Sequence, residues 1–503
     1  MARIVVIGAG TGAMGAAARL AVAGHRVTVY ERTGTYGGAL RRLERDGFAF
    51  DTGPGLLPLP AVYRDLFVKT GKESMEGSVD LVQVDPSARH VFADGTRADL
   101  PNASRAGVVA ALDDALGGGL GQRWGDFLVR AREAWDRTRR PLLEEPLWPN
   151  WQVLAEREPY PAVPHKRLLR TRRATTLAEV GAWELRDERL VALLESHALA
   201  YGLDPRTAPA SAAVLPYMDH AFGTWYVRGG LRELARALYE RCLARRVEFV
   251  FGAEVVRVVE KDGRAAGVEL ADGTVADADH VVGGAPARLA AMTPGHSLFP
   301  DGVPSPGAED TVPGRVVVCL ALRGAREQDA PHRTVVHTRD REDELRALAD
   351  GVPAAGPTVV VYRPGDPALR PDDAHESVVL TATVPSLARH DWTAPGAADA
   401  FADRMTAAAA RAVPDLADRV LWREVRTPVH TREETGAEFG GVPAPALAAA
   451  GGALLRPPNS TALPGLFAAG GWAHPGGGLA HAGMSGALVA GLIVEGPDFR
   501  GSQ

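Results

Sequence analysis

Two kinds of apolar spacing alternate at the start of this chain. Residues 3–7 (RIVVI) form a short β-branched run that predicts a strand, and the alanine-rich stretch up to Ala23 predicts a helix. Arg26–Tyr30 predicts a second strand, ending at Glu31. A similar order returns downstream, where Gly229-Gly230 precede a helical stretch and then a strand. Asp262-Gly263 and Asp272-Gly273 lie between alternating apolar runs, the mark of two-residue hairpin turns. Val316–Leu322, Thr358–Tyr362 and Ser377–Val384 predict further strands. The proline- and tryptophan-rich stretch 141–165 predicts a loop. No apolar run reaches the ~18 residues of a membrane span. The longest, Ala482–Val494, predicts a core helix. Leu190–Leu203 has enough Leu, Val and Tyr for an apolar face, which either packs inside the molecule or dips into a membrane interface.

The turn between the first strand and the first helix carries the candidate chemistry. Gly8-Ala9-Gly10-Thr11-Gly12-Ala13 follows the strand at once. Gly8 permits a tight turn, and Gly10 lets the backbone approach a pyrophosphate. Small Ala13 lets the helix pack on the strand while the helix N-terminus faces the phosphates. Glu31 lies twenty-one residues after Gly10, with Arg32 beside it, where a carboxylate accepts from a ribose hydroxyl. With strand, helix and acid in register, the motif predicts a bound dinucleotide.

The next residues indicate which one. Gly37-Gly38 follow within one short loop, with Arg41 nearby. Thr52-Gly53-Pro54-Gly55 then closes the segment after the hairpin-like RLERDGFAFD. A nicotinamide-only site needs no second glycine pair there. FAD does, because in flavoproteins of the glutathione-reductase superfamily its pyrophosphate and ribityl chain run on past the first loop. The predicted cofactor is FAD, held non-covalently, since neither Cys242 nor Cys319 lies in a flavin motif.

The chain resembles the phytoene-desaturase family of bacterial-type carotenoid desaturases and isomerases along nearly its whole length. The resemblance rests on the N-terminal fingerprint, the GG…GFAFDTGPG segment and FGTWYVRGGLRELARAL at 222–238. It continues through the hairpin at 252–273, the PHRTVVHTRDREDELRAL…GPTVVVYRPGDPAL stretch at 331–369, LLRPPN at 454–459 and GLFAAGGWAHPGGGLAHAGMSGALVAGLI at 465–493. It implies an α/β, two-lobed flavoprotein: a Rossmann-like FAD domain at about 1–75, 222–290 and 455–503, and a discontinuous α+β substrate domain at 76–221 and 291–454. It places Val255 on the strand that passes the adenine and Gly470-Gly471 near the FAD chain. Gly477, Gly478 and Leu479 belong to the loop under the isoalloxazine, with a helix following whose N-terminal dipole stabilises the reduced ring. There are departures. Ala39 stands where the family usually has Arg, Val227 replaces Pro after Trp225-Tyr226, and Gly284-Ala285-Pro286 replaces Asn-Ala-Asp.

Composition narrows the picture further. At 503 residues two lobes are expected rather than one core. A net charge of −6 supplies no electrostatic reason for nucleic-acid binding. Two cysteines and no signal-like N-terminus exclude a disulfide scaffold, and both thiols are expected buried and unpaired. No ligand spacing suggests a metal. His474 is the one titratable group inside the flavin motif, so it is a catalytic candidate as well as a structural hydrogen bonder. His220, beside Asp219, is a second candidate. His481 reads as solvated or helix-capping. Lysine occurs only at 69, 72, 166 and 261, away from the later segments where an amine oxidase would place it.

Three functions compete: a desaturase or isomerase of an apolar polyene or isoprenoid, an amine or other small-molecule oxidase, and a non-catalytic carrier. The intact Glu31 and phosphate loop argue against the third, and lysine placement lowers the second. The expected partners are a small apolar substrate, an electron acceptor that the residues do not identify, and a peripheral membrane contact. The expected location is the cytoplasm, peripheral on the inner face of the membrane. Denaturing the purified protein should release a yellow supernatant that chromatographs as FAD. FMN there, or flavin retained on the precipitate, would contradict the assignment.

Overall fold

The computed structural model describes residues 1–165, 167–299 and 310–501. Its first layer is a five-stranded parallel sheet in the order Glu248–Phe251, Arg26–Glu31, Arg3–Ile7, His280–Gly283 and Leu466–Ala468. A central parallel strand is covered on both faces, so it reads as an unbroken apolar run rather than an alternating one. Ile4, Val5 and Val6 are all buried for this reason, as are Val281 and Val282 on the neighbouring strand.

The first helix, Thr11–Val22, and the last, Leu479–Glu495, cross over this sheet at unusually short range. A Cβ on Gly12 would stand 2.6 Å from the Ala482 carbonyl oxygen, and one on Gly486 only 2.2 Å from the Gly12 carbonyl oxygen. Glycine is therefore required on both sides of the crossing. The rest of the first helix is correspondingly small: Ala13, Gly15, Ala16, Ala17 and Ala18 are buried.

The hairpins appear where the Asp-Gly pairs stand. Val255–Lys261 pairs antiparallel with Arg264–Leu270, which pairs with Val275–Asp277. Asp262 (φ 53°) and Gly263 (φ 73°) both take left-handed conformations, as a type I′ turn demands. Arg42–Arg45 and Phe48–Asp51 form a second such hairpin about Asp46 and Gly47.

The other main layer is a seven-stranded sheet. Its order is Val420–Arg426, Gly314–Arg323, His375–Val384, Val359–Tyr362, Arg333–Val336, Ala88–Val91 and Arg97–Leu100. The three strands expected at 316–322, 358–362 and 377–384 are all members, two of them extended to ten residues. Helices Arg105–Leu116, Leu120–Arg139, Glu188–Leu199 and Val214–Phe222 share one large apolar core.

One expectation needs correction, and one open alternative is decided. Stretch 141–165 is not a plain loop. It contains the helix Gln152–Glu156, and Leu142, Leu147 and Leu154 pack with Trp148, Trp151, Ala448 and Leu455 into a small core of their own. The apolar face in Leu190–Leu203 turns inward, with Leu190, Leu193, Leu194 and Ala198 fully buried, so packing wins over interfacial exposure. Both cysteines are free and buried, and burial pushes each thiol up to about 12. Gly486→Ala should destabilise the fold by about 1–3 kcal/mol, because backbone must move to admit the methyl group. A lower urea midpoint at unchanged slope checks this.

Candidate functional site

The glycine turn opens into a cavity of about 560 Å³ that runs from the parallel sheet to the seven-stranded sheet. Gly8 sits at φ 92°, and its N–H donates to the Tyr30 carbonyl at 2.8 Å, which folds the turn back over the second strand. Built Cβ atoms on Gly8 and Gly10 would meet nothing within 4 Å, so both backbones face open space. Gly10 caps the first helix without a side chain. The N–H groups of its first turn are left without intrahelical acceptors and point at that space. This is a cradle shaped for a pyrophosphate.

Glu31 is buried and already anchored. Its Oε2 accepts from the Ala9 N–H at 2.8 Å, and its Oε1 accepts from the N–H and hydroxyl of Thr33, each at 2.8 Å. A carboxylate has about four lone-pair sites, so capacity remains for a ribose hydroxyl. Arg32 also lines the cavity, but its guanidinium donates to the carbonyls of Arg432 and Glu433 in the helix Pro428–Thr435. Arg41 does not line it. Its Nε donates to the Gly38 carbonyl at 2.8 Å and its Nη2 to Thr33 Oγ1 at 3.2 Å, so it braces the loop from behind. Gly37 likewise supports from outside, donating to the Ala9 carbonyl at 2.8 Å.

The remaining expected residues meet in this one cavity although they come from four parts of the chain. Gly8, Gly10, Thr11, Gly12, Ala13, Gly38, Gly53, Pro54, Gly55, Val255, Gly470, Gly471, Gly477, Gly478 and Leu479 all line it. Close packing explains two of the glycines: a Cβ on Gly53 would stand 2.0 Å from the Ala39 oxygen, and one on Gly477 only 1.8 Å from the Pro443 oxygen. Ala39 itself lines the wall, so the arginine usual there in the resembled family has no counterpart from that position.

The catalytic expectations fare differently. His474 is wholly buried, lies outside the cavity and holds the Glu145 carbonyl through Nε2 at 2.9 Å. Burial drives its pKa down to about 4, so it is a neutral structural ring. His220 also lies off the cavity. Its neighbour Asp219 faces inward to Arg333 instead, so the adjacent pair points apart. His481 does line the cavity, buried rather than solvated, with a pKa lowered to about 4 by burial. Lys69, Lys72 and Lys261 do not line it, and Lys166 lies outside the described residues.

Several residues that build or line this site escape sequence reasoning. Asn459 Nδ2 lies 2.7–3.1 Å from three acceptors that share its two hydrogens, the carbonyls of Ala468 and His474 and Ser485 Oγ, and Ser485 Oγ also accepts from the Gly470 N–H at 2.9 Å. This chain of bonds pins the last glycine loop against the last helix. Glu254 with Arg288, and Thr431 with Glu434, add polar groups to the same wall. Only LLRPPN held a signal, and it gave no role for the asparagine.

Residues 14–494 match the family described as flavin containing amine oxidoreductase, and the chain belongs to that family. It is 29% identical to a 4,4'-diapolycopene oxygenase of Methylomonas sp over 98% of both chains. It is 30% identical to a hydroxyneurosporene desaturase of Cereibacter sphaeroides, over 98% of this chain and 97% of that one. These relatives agree with the resemblance to carotenoid desaturases. An oxidoreductase from Methanosarcina mazei shares the fold at a TM-score of 0.64 and 18% identity, with 97% of this chain and 99% of that chain covered. The protein is an FAD-dependent oxidoreductase, and the open glycine cradle with its buried acid fits that cofactor.

Hydrogen bonds to a charged group contribute ~1.5–3 kcal/mol each. Glu31→Ala should therefore weaken FAD binding at least tenfold in a titration of apoprotein. Because the same carboxylate satisfies Ala9 and Thr33, the apoprotein should also lose about 1–3 kcal/mol of stability. Unchanged FAD affinity would refute the ribose role.

Proposed function

We propose that the protein dehydrogenates or isomerises an elongated, apolar polyene of isoprenoid type. The observation that carries this reading is the continuity of the cavity. From the glycine cradle it extends beneath the seven-stranded sheet, with Leu199, Leu215, Met218, Val317, Val335 and Val360 on its walls. Such walls offer apolar contact along the length of an extended molecule. The near full-length likeness to proteins named for diapolycopene and hydroxyneurosporene supports the same substrate class.

The flavin ring, when bound, takes up the hydrogen equivalent removed from the substrate. The chain's own contribution is placement. Glu31 and the first helix hold the dinucleotide end, and Asn459 and Ser485 fix the loop that ends at Gly478. The unbonded N–H groups at the start of Leu479–Glu495 lie beside that loop and favour negative charge there. In this reading, segments 1–75, 222–290 and 455–503 form the flavin lobe, and 76–221 with 291–454 the substrate lobe. The strand membership of the two large sheets supports the division.

No helix among the described residues is long and apolar enough to cross a membrane. A substrate insoluble in water must then reach the cavity from a lipid surface or carrier, so peripheral membrane contact belongs to the same proposal. A second reading, oxidation of a soluble amine, draws on the family's description. Against it stands the absence of Lys69, Lys72 and Lys261 from the cavity wall. Anaerobic stopped-flow mixing separates the two. A polyene presented in liposomes should bleach the flavin, and the protein should float with those liposomes. Rapid bleaching by a soluble amine, with none by any polyene, would overturn the proposal.

A further inference from the structure

Among the described residues, His481 is the one imidazole, guanidinium or carboxylate group on the cavity wall without a partner. The ring is buried and lines the cavity, yet it makes no hydrogen bond and no ion pair there. The other such groups of the wall are engaged, as His90 is with His337, Glu344 with Thr358 and Asp219 with Arg333. Its place is equally particular. His481 stands in the first turn of the helix Leu479–Glu495, directly after the glycine loop. A Cβ built on Gly478 would lie 3.8 Å from its Nδ1 and 3.7 Å from the Tyr201 hydroxyl. Burial pushes that phenol up to about 12, so it stays protonated and is no base. The neutral imidazole beside it has a lone pair to offer.

The same ring faces a second, smaller cavity of about 20 Å³. His481, Leu215 and Met218 border both spaces, and Thr138, Arg139 and Ser211 supply the polar part of the smaller one. That is room for one water. The Ser211 hydroxyl donates to the Ala448 carbonyl at 3.0 Å and the Thr138 hydroxyl to the Ala134 carbonyl at 2.7 Å, so both keep lone pairs for a water's hydrogens. The half-exposed Arg139 side chain carries this lining toward solvent. An imidazole set between two cavities, with two ring nitrogens, has the form of a proton relay.

Converting a carbon–carbon single bond to a double bond removes two hydrogens from neighbouring carbons. One leaves with its bonding pair, as a hydride to the flavin. The other leaves as a proton, and the electron pair it gives up closes the new double bond. A free cation on the substrate would be an unpaired charge among apolar walls, so the proton must depart together with the hydride. We propose that His481 takes that proton and passes it to a water in the second cavity, which returns the ring to its neutral form. This rests on the polyene reading above and commits it to dehydrogenation. A carbon whose neighbour is losing hydride is a far stronger acid than an imidazolium, so a ring that burial makes a weak base still suffices. The helix N-terminus disfavours positive charge at His481 and drives the proton onward.

The test begins with the holoenzyme and diethyl pyrocarbonate, which acylates neutral, unbonded imidazole nitrogens. Mass spectrometry should find His481 modified and the wholly buried His474 untouched, and an acyclic polyene hydrocarbon in liposomes should protect His481. His481→Gln keeps a hydrogen-bonding side chain that cannot take up a proton. It should bind FAD within about twofold of the natural protein in a titration of apoprotein, while anaerobic flavin bleaching by the same polyene slows about a hundredfold or more. His481→Ala should behave alike and recover in part with added imidazole. An unmodified His481, or a loss of FAD affinity of about tenfold in His481→Gln, would overturn the relay. Bleaching of His481→Gln at the natural rate would overturn it too, while leaving the polyene reading intact. Bleaching of the natural protein by no polyene would overturn both.

Discussion

The crossing of the first and last helices at Gly12 and Gly486 is the contact on which the site depends. It lets two segments more than four hundred residues apart in sequence share one backbone-to-backbone seam. The phosphate turn and the final glycine loop each have little side chain with which to hold themselves. They are placed because the helices that follow them cannot sit anywhere else. A methyl group at either glycine would push the seam apart and open the cradle between Gly10 and Gly470.

Around that seam the polar groups hold one another through hydrogen bonds within the chain. Glu31 accepts one hydrogen bond from Ala9 in the phosphate turn and two from Thr33, so the carboxylate ties that turn to the segment after the second strand. Asn459 and Ser485 do the corresponding work at the other end of the chain. Preorganisation of this kind lowers the cost of ordering groups at the moment of binding. It also explains why Arg41, though outside the cavity, belongs to the site: it ties Gly38 to Thr33 and so to Glu31.

The seven-stranded sheet lines the cavity with Val317, Val335 and Val360, and Arg333 of the same sheet pairs there with Asp219 from the helix Val214–Phe222.

How much of this was legible beforehand follows from the range of the interactions. The strand–turn–helix fingerprint, the Asp-Gly hairpins and the identity of the cofactor are local: a glycine with positive φ, a two-residue turn and an acid at fixed spacing act within about thirty residues, and sequence records them directly. Sequence by itself therefore determined the flavin fold and its cofactor. It could not decide which way a side chain faces. His474 lies inside the flavin motif yet turns to the Glu145 carbonyl, and Asp219 leaves its neighbour His220 for Arg333, over a hundred positions away. Stretch 141–165 looked like a loop because proline and tryptophan punctuate it, but Ala448 and Leu455 give it a core. Only the tertiary structure decided these points, since each depends on a partner that the chain brings near by folding and that no local spacing encodes.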